Sequence, residues 1–145
     1  VSESIVIEVA DAVVRALNAG QFSEQFTAER TYNPERKLSQ YKTLRVTVVP
    51  KGRVTAAADR SGYQQDIAID IGIQKRAETD AEADTMMGLV DEVFAALNGR
   101  VLTDTEGFRL AVWVETGNEP IFVPDHLRED RVFTSVLTLT YRVVR

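Results

Sequence analysis

Between Tyr63 and Lys75 four isoleucines, Ile67, Ile69, Ile71 and Ile73, occupy every second position, and Asp66, Ala68, Asp70, Gly72 and Gln74 stand between them. Side chains of a strand alternate between its two faces, so this stretch predicts a strand with one wholly apolar face and one polar or small face. The same texture returns at the end of the chain. From Arg131 to Val144, Phe133, Leu137, Leu139 and Tyr141 oppose Thr134, Val136, Thr138, Thr140 and Arg142. Thr43 to Val49 places Leu44, Val46 and Val48 on one side, and Phe108 to Glu115 does so with Phe108, Leu110, Val112 and Val114. A shorter alternation runs from Gln25 to Asn33. An apolar sheet face must be covered, and a face of Thr, Asp, Ala and Gly need not be.

Two segments have the helical period that such a cover requires. From about Glu3 to Leu17, the residues Ile5, Val9, Ala12, Val13, Ala16 and Leu17 form one stripe, which Val6, Ile7 and Val14 widen. Ser2 or Ser4 can cap it, and Asn18-Ala19-Gly20 predicts a left-handed stop. From about Ala81 to Leu97 the stripe is Met86, Leu89, Val90, Val93, Phe94 and Leu97. Thr79 or Asp80 caps this helix, Glu82 and Asp84 sit where the helix dipole favours acid, and Asn98-Gly99 ends it. The 145 residues contain no Gly/Ser/Pro-rich linker and no repeat, so residues 1–145 are expected to form a single domain. The expected class is α+β: two layers, a mostly antiparallel sheet of about five strands, and two helices packed on one face.

Two stretches read as connections. Pro50-Lys51-Gly52-Arg53 is a turn signal, and Lys51 to Gly62 reads as an extended hairpin arm or a mobile loop. Gly117 to Asp130 reads as a second long loop, in which Ile121, Phe122 and Val123 are expected to fill a local pocket.

The chain carries few marks of catalytic or metal chemistry. The absence of cysteine removes disulfides, Cys-based zinc sites and thiol nucleophiles. No phosphate-binding loop, dinucleotide fingerprint, H-E-x-x-H or EF-hand pattern occurs, and no serine sits in G-x-S-x-G. The single histidine, His126, follows Asp125 in a loop-like stretch and reads as a surface or turn residue rather than a general base. Asp66 and Asp70 share a strand face but are about 13 Å apart, farther than a glycosidase carboxylate pair. Pairing with Arg45 or Arg142 on neighbouring strands is the better expectation. No apolar run is long enough for a membrane span, and no basic stretch with an apolar core opens the chain, which predicts no secretory leader.

The net charge is −5, with a sequence pI near 4.9, which argues against a protein that coats nucleic acid. The charge is segregated. Glu29 to Arg53 carries seven basic residues against two acidic ones, with Tyr32 and Tyr41 among them, whereas Ala77 to Gly99 carries six acidic residues and no basic one. These are either two solvated faces or complementary surfaces for self-assembly or docking.

An apolar helix ending in Asn-Ala-Gly is followed by a β segment with a long arm. Then D-I-A-I-D-I-G-I-Q-K-R runs into an acidic-capped helix ending A-A-L-N-G, and the chain closes on F-T-S-V-L-T-L-T-Y-R. In order and texture, from roughly Ile5 to Arg145, this resembles the small neck proteins of long-tailed bacteriophages, in particular the tail-terminator (tail-completion) proteins. The resemblance implies a ring, commonly of six subunits, at the head-proximal end of the tail tube. Such a ring ends tube polymerisation and presents a surface to the head connector. It implies a protein of the virion's tail-neck region, present in the host cytoplasm during assembly, with no enzymatic activity, cofactor or metal and no membrane partner. Its partners are further copies of itself, the tail tube protein and the head-completion or connector protein, and DNA passes through without specific binding.

A ring needs two different surfaces on each subunit. The basic candidates are Arg36, Lys37, Lys51, Arg53 and Arg60, and the acidic ones Glu82, Asp84, Asp91 and Glu92. Asp66, Asp70, Thr138 and Thr140 are candidates for facing a channel. A head-side neck adaptor or stopper is an alternative. A small soluble ligand-binding or enzymatic α+β domain is another, and its mark would be a deep pocket with convergent polar groups.

Overall fold

The isoleucine strand is the centre of a six-stranded sheet. The structure, a computed structural model, describes residues 4–32, 42–57 and 62–144. In chain order the elements are α1 (Ile5–Ala19), β1 (Ala28–Arg30), β2 (Arg45–Ala57), β3 (Tyr63–Arg76), α2 (Asp80–Leu97), β4 (Leu102–Thr103), β5 (Arg109–Asn118), α3 (Pro124–Asp130) and β6 (Val132–Val144). The strand order across the sheet is β1-β2-β3-β6-β5-β4. All neighbours are antiparallel except β1 and β2. The sheet is mixed and curls toward a half-barrel. The α+β class therefore stands, but with six strands rather than five, one parallel pair and a third helix.

One register sorts the faces of the three long strands. Val46 and Val48 oppose Ile73 and Ile71, Ile71 and Ile69 oppose Leu137 and Leu139, and Ile67 opposes Tyr141. These side chains are almost wholly buried and form one core with Val9, Val13 and Leu17 of α1 and Met86, Leu89, Val90, Val93 and Leu97 of α2. Burial of this kind, at about 25 cal/mol per Å² of apolar surface, is the main force holding the two layers together.

The helix ends differ in how they are made. At α2 the Thr79 hydroxyl accepts from the Glu82 N–H at 3.2 Å, and the Glu82 carboxylate accepts from the Glu78 N–H at 2.5 Å. Two otherwise orphan donors are satisfied. Asn98-Gly99 ends the helix as expected, with Gly99 in the left-handed region (φ 75°). Ser4 flanks α1 but its side chain makes no capping bond, and Gly20 is extended (φ −77°), not left-handed. The Asn18 side-chain oxygen accepts from the Ala28 N–H at 2.7 Å while its amide donates to the Ala28 carbonyl at 3.2 Å. The Gly20 N–H caps the Leu17 carbonyl, and the Asn18 side chain ties the last turn of α1 to β1. The alternation expected from Gln25 to Asn33 yields strand only over Ala28–Arg30, and Asn33 lies outside the described residues.

Pro50-Lys51-Gly52-Arg53 is not a turn. It lies inside β2, where the register against β3 slips between Pro50 and Gly52. A bulge accommodates a proline that cannot donate to a ladder. Beyond it the hairpin arm is as expected: Arg53 to Ala57 pairs with Ile67 to Tyr63, and the tip, 58–61, lies outside the described residues.

The expected single apolar face of β5 does not hold, although Leu110 does pack against the core. Phe108 and Val112 are exposed, and Ala111 is the buried residue. Leu110 to Val114 is apolar throughout, so alternation could not choose a face, and a register shift between Trp113 and Glu115 changes the phase again. The stretch read as a loop from Gly117 onward contains the end of β5 and the short helix α3, opened by Pro124. Ile121 and Phe122 do not fill a pocket but are exposed. Leu102–Thr103, which sequence reading passed over, forms β4 against β5.

Candidate assembly surface

The face of the sheet turned away from α1 and α2 carries the polar half of each alternating strand. Its residues fall into cross-strand rows. One row runs Val54, Asp66, Arg142, Val112 from β2 through β3 and β6 to β5. The next runs Gly52, Ala68, Thr140, Glu115, and the third Val49, Asp70, Thr138, Gly117. All four channel candidates, Asp66, Asp70, Thr138 and Thr140, therefore lie on this face in adjacent rows.

Their charges are paired. Arg142 meets Asp66 through two bonds, Nε to Oδ1 at 2.9 Å and Nη2 to Oδ2 at 3.2 Å. The Asp66 carboxylate raises the Arg142 guanidinium above its ordinary pKa, first through the hydrogen bond. Thr138 Oγ1 donates to Asp70 at 2.6 Å, and Lys51 Nζ stands 3.9 Å from the same carboxylate oxygen. The face is thus close to neutral, not a negative wall. It is also closed at one end, where Thr47, Gln74 and Thr134 are buried and His126 of α3 meets the Thr134 hydroxyl at 2.9 Å. His126 is exposed, on a helix rather than in the expected loop.

The interface candidates divide. Glu82 is consumed by the α2 cap, and Glu92 accepts from the Ser23 N–H at 2.9 Å. Asp84 and Asp91 are exposed on α2. On the basic side, Lys51 and Arg53 are exposed on β2, while Arg36, Lys37 and Arg60 lie outside the described residues, as does Tyr41. Arg30 is held by Asp11 at 2.8 Å. The two charged segments approach each other at one place within the chain, where Lys42 lines the same hollow as Glu78 and Glu82.

Residues that sequence reading did not select also mark this surface. Val54 is 70% exposed and Val112 42%, at the two ends of one row, and Tyr63 and Phe108 are exposed nearby in sequence. The clue was available for Val54, a β-branched residue in a stretch of small and basic ones. Glu115 gains meaning only from the register.

A hollow of about 350 Å³ opens beside α2, lined by Glu24, Lys42, Lys75, Arg76, Glu78 and Met86 among others. Lys75 binds Glu24 at 2.8 Å and Arg76 binds Glu78, so its polar groups face each other. Among the described residues no three of His, Asp and Glu gather as metal ligands, and no helix is long and apolar enough to cross a membrane.

No family model and no curated protein matches the sequence. Among solved structures, a chain from the virion of a native gene transfer agent (GTA) particle superposes with a TM-score of 0.59 at 18% identity, over 99% of this chain and 100% of that one. The two chains share a fold. The likeness covers nearly the whole of both chains.

Proposed function

We propose that this chain is a structural protein of a phage-like virion, which forms a ring at the head-proximal end of a tail tube, ends tube growth and joins the tail to the head connector. The observation that carries the reading is the end-to-end likeness to a chain of a gene transfer agent virion. The surfaces favour assembly over chemistry. A sheet face that α1 and α2 leave uncovered, with its carboxylates paired to Arg142, Lys51 and Thr138, offers passing DNA neither a run of unpaired cations nor an array of base-reading donors. In this reading the ring holds no cofactor and performs no reaction. Its tail-side partner is the tube protein and its head-side partner a connector protein. Electron microscopy of the purified chain mixed with growing tubes of the same particle tests this. Rings seated on one end of tubes that stop lengthening are expected. Tubes that lengthen as fast with the chain as without it, and carry no cap, contradict the proposal.

A further inference from the structure

Two strand edges stay open among the described residues, and they fit one another. β1 pairs with β2 only at Val46–Val48, and Thr31 donates to the Val48 carbonyl, which leaves the outer edge of β2 from Val49 onward without a strand partner among the described residues. On the far side, β4 pairs with β5 only at Arg109 and Ala111, which leaves Val112 to Asn118 open in the same sense. The register places the two open windows at the same height. Val49, Gly52 and Val54 share rows with Gly117, Glu115 and Val112 respectively. β1 blocks the edge below this window on one side, and β4 blocks it above on the other. Open edges of this kind are templates for strand pairing.

We infer that Val49–Val54 of one copy pairs antiparallel with Val112–Gly117 of the next, joining the sheets of neighbouring subunits into one. The inference rests on the ring reading and specifies its contact. The direction follows from the sheet, because β2, β3, β6 and β5 alternate, so a further β5 placed beside β2 continues the alternation. The charges agree. The β2 window carries Lys51 and ends at Arg53 with no acid, and the β5 window carries Glu115 and is followed by Glu119 with no base. Glu115 shares the row of Gly52, next to Lys51, whereas Arg53 stands opposite the core residue Ile67 and faces the other side of the sheet. The exposed apolar ends agree as well: Val54 and Val112 terminate one row, so continuing the row into a second copy brings the two together and away from water. The contact is heterologous, as a ring demands.

The chain has no cysteine, so a disulfide reports the contact directly. A Cβ at Gly52 meets nothing within 4 Å, and Glu115 is exposed. Within one chain the two positions are separated by β3 and β6, about 14 Å at the usual strand spacing, too far for a bond whose Cα atoms must approach to about 7 Å. Oxidation of the double variant Gly52→Cys/Glu115→Cys should yield a ladder of covalent oligomers, and an equal mixture of the two single variants should stop at dimers. Lys51→Glu should abolish the oligomer seen by light scattering, and Lys51→Glu with Glu115→Lys should restore it. Circular dichroism confirms that each variant is folded. Oligomers that form without a ladder overturn the edge contact and leave the ring reading standing. A chain that stays monomeric and uncross-linked, alone and on its tubes, overturns both.

Discussion

The Tyr141 hydroxyl is wholly buried and has no hydrogen-bond partner among the described residues. Burial pushes its pKa well above the ordinary value of 10. The sign of the consequence follows from proton counting. Below pH 10 the phenol is neutral in both states; above it the unfolded chain releases the proton while the folded one retains it, so stability falls as pH rises. Tyr141→Phe should remove that alkaline loss and leave stability at pH 7 unchanged or slightly raised, read from chemical denaturation at a series of pH values. Thr47 presents the same kind of group. Its Oγ1 is buried and unpartnered, and it fills the space that a Cβ on Gly72 would need, 2.9 Å away. Gly72→Ala is therefore expected to cost about 1–3 kcal/mol by overpacking. Thr47→Val should be neutral or stabilising by up to about 1 kcal/mol, because it removes an unsatisfied hydroxyl. Thermal unfolding of both variants checks the pair.

At the scale of elements, the sequence carried the long pieces and misplaced the short ones, for physical reasons that can be named. β3, β6 and the two long helices were legible because their apolar residues keep one period over many positions, and one register then satisfies all of them. β5 was not, because Leu110 to Val114 is apolar on both sides and its phase is set by a bulge and by β4, not by its own pattern. Pro50-Lys51-Gly52 looks like a turn locally, but the ladder on either side carries it through as a bulge. Asn18 is the instructive case. Its residue type suggested a left-handed helix end, whereas its side chain clamps Ala28 ten residues away. Asn18→Ala leaves both backbone groups of buried Ala28 without that partner. It is expected to cost about 1–3 kcal/mol and to speed amide exchange in β1 more than in β3, a difference that hydrogen exchange followed by mass spectrometry resolves. Of the candidate site residues, alternation correctly grouped Asp66, Asp70, Thr138 and Thr140 on one face. The expected pairing with Arg142 is found at Asp66, whereas the approach of Lys51 to Asp70 was not legible, because it depends on the bulge between Pro50 and Gly52.

At the scale of the whole molecule, the sheet supports the proposed assembly role. α1 and α2 cover one face, the other face is near neutral and closed at one end by α3, and the open edges sit at equal height on opposite sides. The most direct test of the virion role is electron microscopy of particles made when this gene is silenced. Tails of uncontrolled length beside full, tailless heads are the predicted result. Tails of normal length that fail to join heads would move the protein to the head side of the neck, against the terminator role, and intact infectious particles would contradict a place in the virion altogether.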